Sequence, residues 1–321
     1  MRKAFGFLNF QNLSAFPASP RENNLSLRLR SSGSICNAPN APPPLVKLDS
    51  HQHFWIYDAP QYPWIPEGSA LHRSWLPEDL ARIQEPLGFE GSIAVQARQS
   101  LEESRWLLSL ADAHRSIRGV VGWVDLRDAR VEEQLEELSQ HPRFVGVRHV
   151  VQDEPDPAFL LGNDFQRGVS QLARFGLAYD LLIYPHQLEA AIGLVERFPE
   201  QRFVLDHIAK PLIRQRTISP WRENIRTLAE FPHVCCKVSG MITEADHAGW
   251  VPEDFAPYLD TVFEAFGGDR LMYGSDWPVC LLAGSYQQTA ELVENYTRQL
   301  PLAVREAVFG GNAARFYRIK D

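Results

Sequence analysis

Eight apolar runs of strand length alternate with amphipathic stretches from Val46 to the C-terminus, and this alternation constrains the fold more than any other feature of the chain. The runs fall at 46–49, 91–97, 117–124, 144–150, 178–183, 202–207, 234–239 and 270–275. Between them, residues 77–85, 101–114, 131–139, 164–175, 188–198, 220–230, 252–266 and 286–299 place apolar side chains at helical spacing, several with Pro or Ser near the start. Strands joined by crossover helices run parallel. Eight such units in residues 46–321 predict an α/β fold, a single-domain (β/α)8 TIM-type barrel, which typically takes about 250 residues. The competing architecture, an open doubly wound sheet, is disfavoured because no Gly-x-Gly-x-x-Gly follows the first strand.

Residues 1–45 read differently. They combine Ser, Asn, Pro and Arg without periodicity and end near Asn-Ala-Pro-Pro-Pro, so a disordered extension is expected. Their five basic residues against Glu22 alone also fit an organellar targeting leader, and a misplaced start codon is the third reading. Because this segment is basic while the whole chain carries −8, the remainder is more acidic still, which argues against nucleic acid as a partner. No run of 18 apolar residues is present, so no membrane-spanning helix is expected. Cys235 and Cys236 are adjacent on one strand and Cys36 lies in the leader, so a disulfide framework is not expected and a cytoplasmic, reducing setting is. The expected partner is a small-molecule substrate, with a homodimer left open.

Barrels of this kind carry their chemistry at the carboxyl ends of the strands, and the ionisable residues gather there. His51 and His53 follow the first run; at i and i+2 they share a strand face and can bind a divalent cation or polarise a carbonyl as a pair. Asp49 has the same parity and is expected to support them. Arg148 and His149 close the fourth run, Asp206 and His207 the sixth, and Asp276 the eighth, with Gly274 leaving room in the barrel mouth. His207 is expected to be a third ligand or a proton donor. If Phe203 and Leu205 face the interior, so does His207, and Asp206 turns outward to a structural hydrogen bond. Asp276 is the candidate general base toward a water held by a cation or by the histidines. The planar guanidinium of Arg148 suits a polar substrate, with Lys210 as a further contact. Trp55, Tyr57, Tyr62, Trp64 and Trp75 suggest an aromatic lid over a sugar-like ring, with Trp55 touching the substrate. Neither Gly-x-Ser-x-Gly nor a phosphate-binding loop is present, and Ser239 has no evident base, which argues against a serine nucleophile.

Six segments taken together, Leu48–Trp55, Gly146–His149, Leu205–Pro211, Lys237–Gly240, Tyr273–Val279 and Phe309–Tyr317, resemble the amidohydrolase-related (amidohydrolase 2) branch of the amidohydrolase superfamily, especially its sugar-lactone hydrolases. The resemblance spans about residues 46–319. It implies a distorted (β/α)8 barrel with His51, His53, His207 and Asp276 around the reactive centre, Asp276 acting as general base. It also implies either one divalent metal ion, zinc or similar, held by those four residues, or catalysis without metal. Metal-dependent members place a histidine at the tip of strand 5, whereas here the nearest, His186, lies beyond Pro185. No lysine able to form a bridging carbamate ends strand 4, where Arg148 stands, so a binuclear centre is not expected. The implied reaction is hydrolysis of a small lactone of the sugar aldonolactone class. The alternatives are a metal-dependent decarboxylase or C–C hydrolase acting on an aromatic or keto acid, and a sugar-acid sensor without turnover.

Overall fold

A computed structural model describes residues 47–320, so the expectations for residues 1–45 lie outside the described part. Among the described residues, eight parallel strands pair in sequence order: β1 (Leu48–Gln52), β2 (Gly91–Val95), β3 (Ile117–Gly122), β4 (Phe144–Val150), β5 (Ala178–Leu182), β6 (Phe203–Leu205), β7 (Val234–Val238) and β8 (Leu271–Tyr273). Each is followed by a helix: α1 (Pro77–Gln84), α2 (Leu101–Ala113), α3 (Val131–Ser139), α4 (Asn163–Leu172), α5 (Leu188–Arg197), α6 (Trp221–Ala229), α7 (Ala256–Phe266) and α8 (Tyr286–Thr297). The fold is the expected (β/α)8 barrel, and the expected elements recur with ends moved by a few residues.

Strand alternation sorts the core into two bodies. Leu48, Ile93, Val95, Val121, Val145, Ala178, Val204 and Met272 point inward and form one cluster with Ala313, Phe316 and Tyr317, the C-terminal residues that plug the barrel floor. Neighbours of opposite parity, such as Phe203, Leu205, Cys236 and Tyr273, belong to the larger cluster packed against the helices. With both faces covered, the strands read as continuous apolar runs.

The barrel closes at a seam between β1 and β8. The two strands meet through a bridge between Gln52 and Trp277, where His53 N–H donates to Trp277 O at 2.7 Å and Asp276 N–H to His51 O at 2.9 Å. The buried carboxylate of Asp49 fastens the seam. It accepts from Ser275 N–H at 2.9 Å, Ser275 Oγ at 2.6 Å and His51 N–H at 3.1 Å, as well as from Gln84 of α1. Burial lifts the Asp49 pKa to about 6. Its expected parity with His51 fails, because the β1–β2 register shifts between Asp49 and Gln52. Asp49 therefore supports His51 through its backbone N–H. Lowest in the mouth, Gly274 is required by proximity, since a Cβ there would sit 2.7 Å from His51 Cβ.

Candidate active site

Three imidazoles and one carboxylate converge inside the mouth. His51 Nε2 and His53 Nε2 are 3.2 Å apart, and Asp276 Oδ1 lies 3.3 Å from His53 Nε2, 3.8 Å from His51 Nε2 and 3.9 Å from His207 Nε2. All four residues are buried. His53 is oriented by Val95 O, 2.8 Å from its Nδ1, which leaves Nε2 for the centre.

His207 arrives by a route that strand parity does not supply. Val204 is the inward residue of β6, so Asp206, not His207, continues into the barrel; the expectation that Asp206 turns outward was wrong because Phe203 and Leu205 face the helices. Beyond Asp206 the backbone is left-handed at four consecutive residues, His207 (φ 54°), Ile208 (47°), Ala209 (60°) and Lys210 (48°). Each such non-glycine residue costs on the order of 1 kcal/mol, so surrounding bonds must hold the turn. They include Trp221 Nε1–H to Ile208 O at 2.7 Å and Lys210 N–H to His207 O at 2.7 Å. The turn swings the His207 ring over the strand end, where its Nδ1 meets Ser239 Oγ at 2.9 Å. Ser239 thus does have a basic partner. It is buried beneath the ring and does not line the cleft, so it serves as a strut. Asp276 is also left-handed (φ 56°), which lifts it off β8 toward the histidines.

Burial lowers the pKa of His51 and His53, and that of His207 to about 4, so all three are neutral at physiological pH. Burial alone would raise Asp276, but the surrounding His207, His53 and His51 outweigh it and hold the carboxyl below its usual range. Neutral imidazoles facing an ionised carboxylate are a suitable donor set for a divalent cation. Tetrahedral ligands at about 2.0 Å from zinc lie about 3.3 Å from one another, close to the separations among His51, His53 and Asp276. A second cluster, His51, Asp206 and His207, also brings ligand atoms together. Lys237 fills that space with positive charge, 3.0 Å from Asp206 Oδ1 and 3.1 Å from His51 Nδ1, and leaves it unsuited to a metal.

Lys237 on β7, singled out only as part of a resembling segment, and Asp180 on β5 receive no role at the site from the sequence. Both are fully buried, with Lys237 Nζ 2.5 Å from Asp180 Oδ2, and Tyr317 Oη reaches up from the floor to the same oxygen at 2.8 Å. Burial works against an ionised Asp206, but Lys237, His51 and Arg148 outweigh it and hold Asp206 well below the usual carboxylate range. A lysine and an aspartate inside apolar strands were the available signal, since unpaired charges there are too costly to persist.

Above this layer opens a cavity of about 640 Å³ lined by His53, Arg148, His207, Lys210 and Asp276. Lys210 lies on its wall, its Nζ 5.6 Å from the Tyr184 ring. Arg148 is turned to protein: Nη1 donates to Asp206 Oδ2 at 3.1 Å, and Nη2 to Gln96 O and to Gln96 Oε1 at 2.8 Å. Its fork is therefore not free for substrate as expected. Trp55 does not line the cleft. It is fully buried, pairs with Trp75 in a small bridge and donates from Nε1 to Arg73 O at 2.7 Å, so it holds the loop after β1 together. Of the aromatic residues in that loop, Trp64, 40% exposed, borders the cavity, beside Gln61 and Pro63.

Residues 48–319 match the amidohydrolase family over nearly all of the described fold. The chain belongs to the amidohydrolase family. This amidohydrolase is 42% identical over 288 residues to L-fucono-1,5-lactonase of Burkholderia multivorans, a match covering 86% of this chain and 97% of that protein. It is 34% identical over 279 residues to L-fucono-1,5-lactonase of Burkholderia ambifaria, covering 85% and 96%. Among solved structures, a crystal structure of an amidohydrolase from B. multivorans with bound zinc aligns with a TM-score of 0.83 at 42% identity, over 86% of this chain and 100% of that one. By family this amidohydrolase is a hydrolase, and its donor set fits one divalent ion. No described helix is long and apolar enough to cross a membrane.

Proposed function

We propose that this amidohydrolase opens a small lactone of the sugar aldonolactone class by direct attack of water, with Asp276 as general base. The observation that carries this reading is the convergence of Asp276 Oδ1 with three imidazole Nε2 atoms under a small-molecule-sized cavity. The 42% identity to the B. multivorans L-fucono-1,5-lactonase over nearly its whole length supports the substrate class.

The residues divide the work. Water held between His53 and Asp276 gives its proton to Asp276 as its oxygen attacks the ring carbonyl. His207, seated on Ser239, turns Nε2 toward the cleft, where an oxyanion forming on the carbonyl oxygen meets the cluster of imidazoles. When the tetrahedral carbon collapses, the ring C–O bond breaks and Asp276 returns the proton to the departing alkoxide, leaving a hydroxy acid. His51, His53 and Asp276 would hold a divalent cation with His207 on the fourth side, and such an ion supplies Lewis-acid polarisation and a lower pKa for water. Lys210, Trp64 and the rim would orient the ring hydroxyls. We further propose a reducing cytoplasmic setting, in keeping with the free thiols of Cys235, Cys236 and Cys280 among the described residues.

Lactone opening releases a proton at neutral pH, so a pH-indicator screen of aldonolactones of varied ring size and stereochemistry, with and without chelator, tests the reading directly. Turnover of at least one aldonolactone is expected; a panel with none opened refutes it. A decarboxylase or C–C hydrolase gains no support, because Arg148, the expected anchor for an acidic substrate, is already bound to Asp206 and Gln96.

A further inference from the structure

His51 is enclosed by donors on both ring nitrogens. Lys237 Nζ lies 3.1 Å from Nδ1 and Arg148 Nη1 3.2 Å from Nε2. A neutral imidazole carries one proton and accepts at its other nitrogen, whereas an ammonium only donates. The three N–H bonds of Lys237 face three neighbours, Asp180 Oδ2, Asp206 Oδ1 and His51 Nδ1. Donation to Nδ1 puts the His51 proton on Nε2. That proton has an acceptor in His53 Nε2 at 3.2 Å, because His53 already donates from Nδ1 to Val95 O. The direction Lys237 to His51 to His53 to Val95 is consistent throughout. Arg148 pulls the other way, since Nη1 has two N–H bonds and gives only one to Asp206 Oδ2 at 3.1 Å, so the tautomer is set by Lys237 and His53 against this second N–H.

The opposite tautomer is built into the same residues. Asp206 Oδ1 is fully buried and lies 3.4 Å from His51 Nδ1, with Lys237 Nζ at 3.0 Å as its ion-pair partner. Moving the proton from Nε2 to Nδ1 would give it this oxygen as acceptor and free Nε2. The result is the carboxylate–imidazole pairing that usually backs a metal-bound histidine. With the proton on Nε2, that nitrogen has no lone pair for a cation.

We propose that Lys237 is a positioning residue that holds His51 in the Nε2–H form, so that a divalent cation binds at His51, His53 and Asp276 only with a proton shift to Nδ1. Lys237 thereby weakens the site for metal and keeps it usable in the metal-free state. Removing the lysine alone would leave Asp180 and Asp206 unpaired, so the informative variant is the double replacement Lys237→Met with Asp180→Asn.

Two measurements test this on the full chain. Histidine-¹⁵N spectra of chelator-stripped wild type, with His51 signals identified by their loss in His51→Gln, report which ring nitrogen is protonated; the Nε2–H form is expected, converting to Nδ1–H on adding zinc. His51 already in the Nδ1–H form without zinc overturns the proposal. Competition with a chromophoric chelator should show the double variant binding zinc about tenfold tighter or more, the scale of effects from groups behind a ligand. Unchanged or weaker affinity in a cooperatively melting double variant overturns it too, and if that variant does not fold, the wild-type spectrum decides. Neither readout uses a lactone, so failure here and failure of the lactonase reading are distinct.

Discussion

Gly240 offers a sharp test of how tightly the site is built. Its φ is +59°, and a Cβ there would stand 2.4 Å from His207 Nδ1 and 2.7 Å from its Cγ. Ordinary contact begins near 3.4 Å, so in Gly240→Ala the ring must retreat by about 1 Å, away from Ser239 and out of register with Asp276. A misplacement of that size costs on the order of 10²-fold in rate. The left-handed backbone adds a separate penalty of roughly 1 kcal/mol that any alanine at such a φ incurs. Gly88→Ala isolates that penalty, because Gly88 has φ +75° with nothing within 4 Å of its Cβ position. Both variants should lose a few degrees in Tm, at roughly 2–4 °C per kcal/mol for a domain of this size. Only Gly240→Ala should lose about two orders of magnitude in kcat, measured on whichever aldonolactone the panel identifies. Wild-type kcat in Gly240→Ala, or an equal fall in Gly88→Ala, would refute the claim that the His207 ring position limits the rate.

Replacing Asp276 by Asn should lower kcat by at least about 100-fold, the usual scale for a lost general base; turnover near wild type removes Asp276 from the mechanism. Glu103, buried and accepting from Ala97 N–H and Arg98 N–H at 2.9 Å each, has its pKa raised to about 7 by burial. The folded state then keeps a proton that the unfolded chain releases near 4.5, so stability is greatest below that pH and declines as pH rises toward 7, by on the order of 3 kcal/mol at most. The wild-type Tm should therefore fall between pH 4.5 and 7.5 relative to Glu103→Gln, and parallel Tm profiles would count against it. Tyr317→Phe removes a donor to the buried Asp180 and should cost about 1–3 kcal/mol in a denaturant melt; an unchanged midpoint would show that the bond adds nothing.

The barrel and its seam histidines are legible in the sequence because strand and helix periods alternate cleanly and because His51, His53 and Asp276 follow runs that can only be strands. What was not legible has specific causes. Both faces of β6 are apolar, so Phe203-Val204-Leu205 carries no signal as to which side is inside; Asp206 faces inward against expectation, and His207 reaches the centre as expected but by a left-handed turn instead of strand parity. The left-handed turn at His207–Lys210 has no glycine to announce it. One bulge in β1 broke the parity argument for Asp49. Composition alone put Trp55 over the substrate, whereas its indole is held by a backbone carbonyl within its own loop. Lys237 looks like an ordinary lysine until Asp180 of β5 and Asp206, just past β6, are seen to surround it.

The closing of β1 on β8 also bears on how the chain becomes active. His51 and His53 come from β1 and the residues just after it and Asp276 from just beyond β8, so the centre joins contacts separated by more than 200 residues, the class of contact with the largest entropic cost and the latest formation. A half-made or partly unfolded molecule can hold neither a cation nor an ordered water at this point. Turnover therefore reports circularisation of the whole sheet, and a nick that lets the two ends part should silence the enzyme even where most of its secondary structure survives.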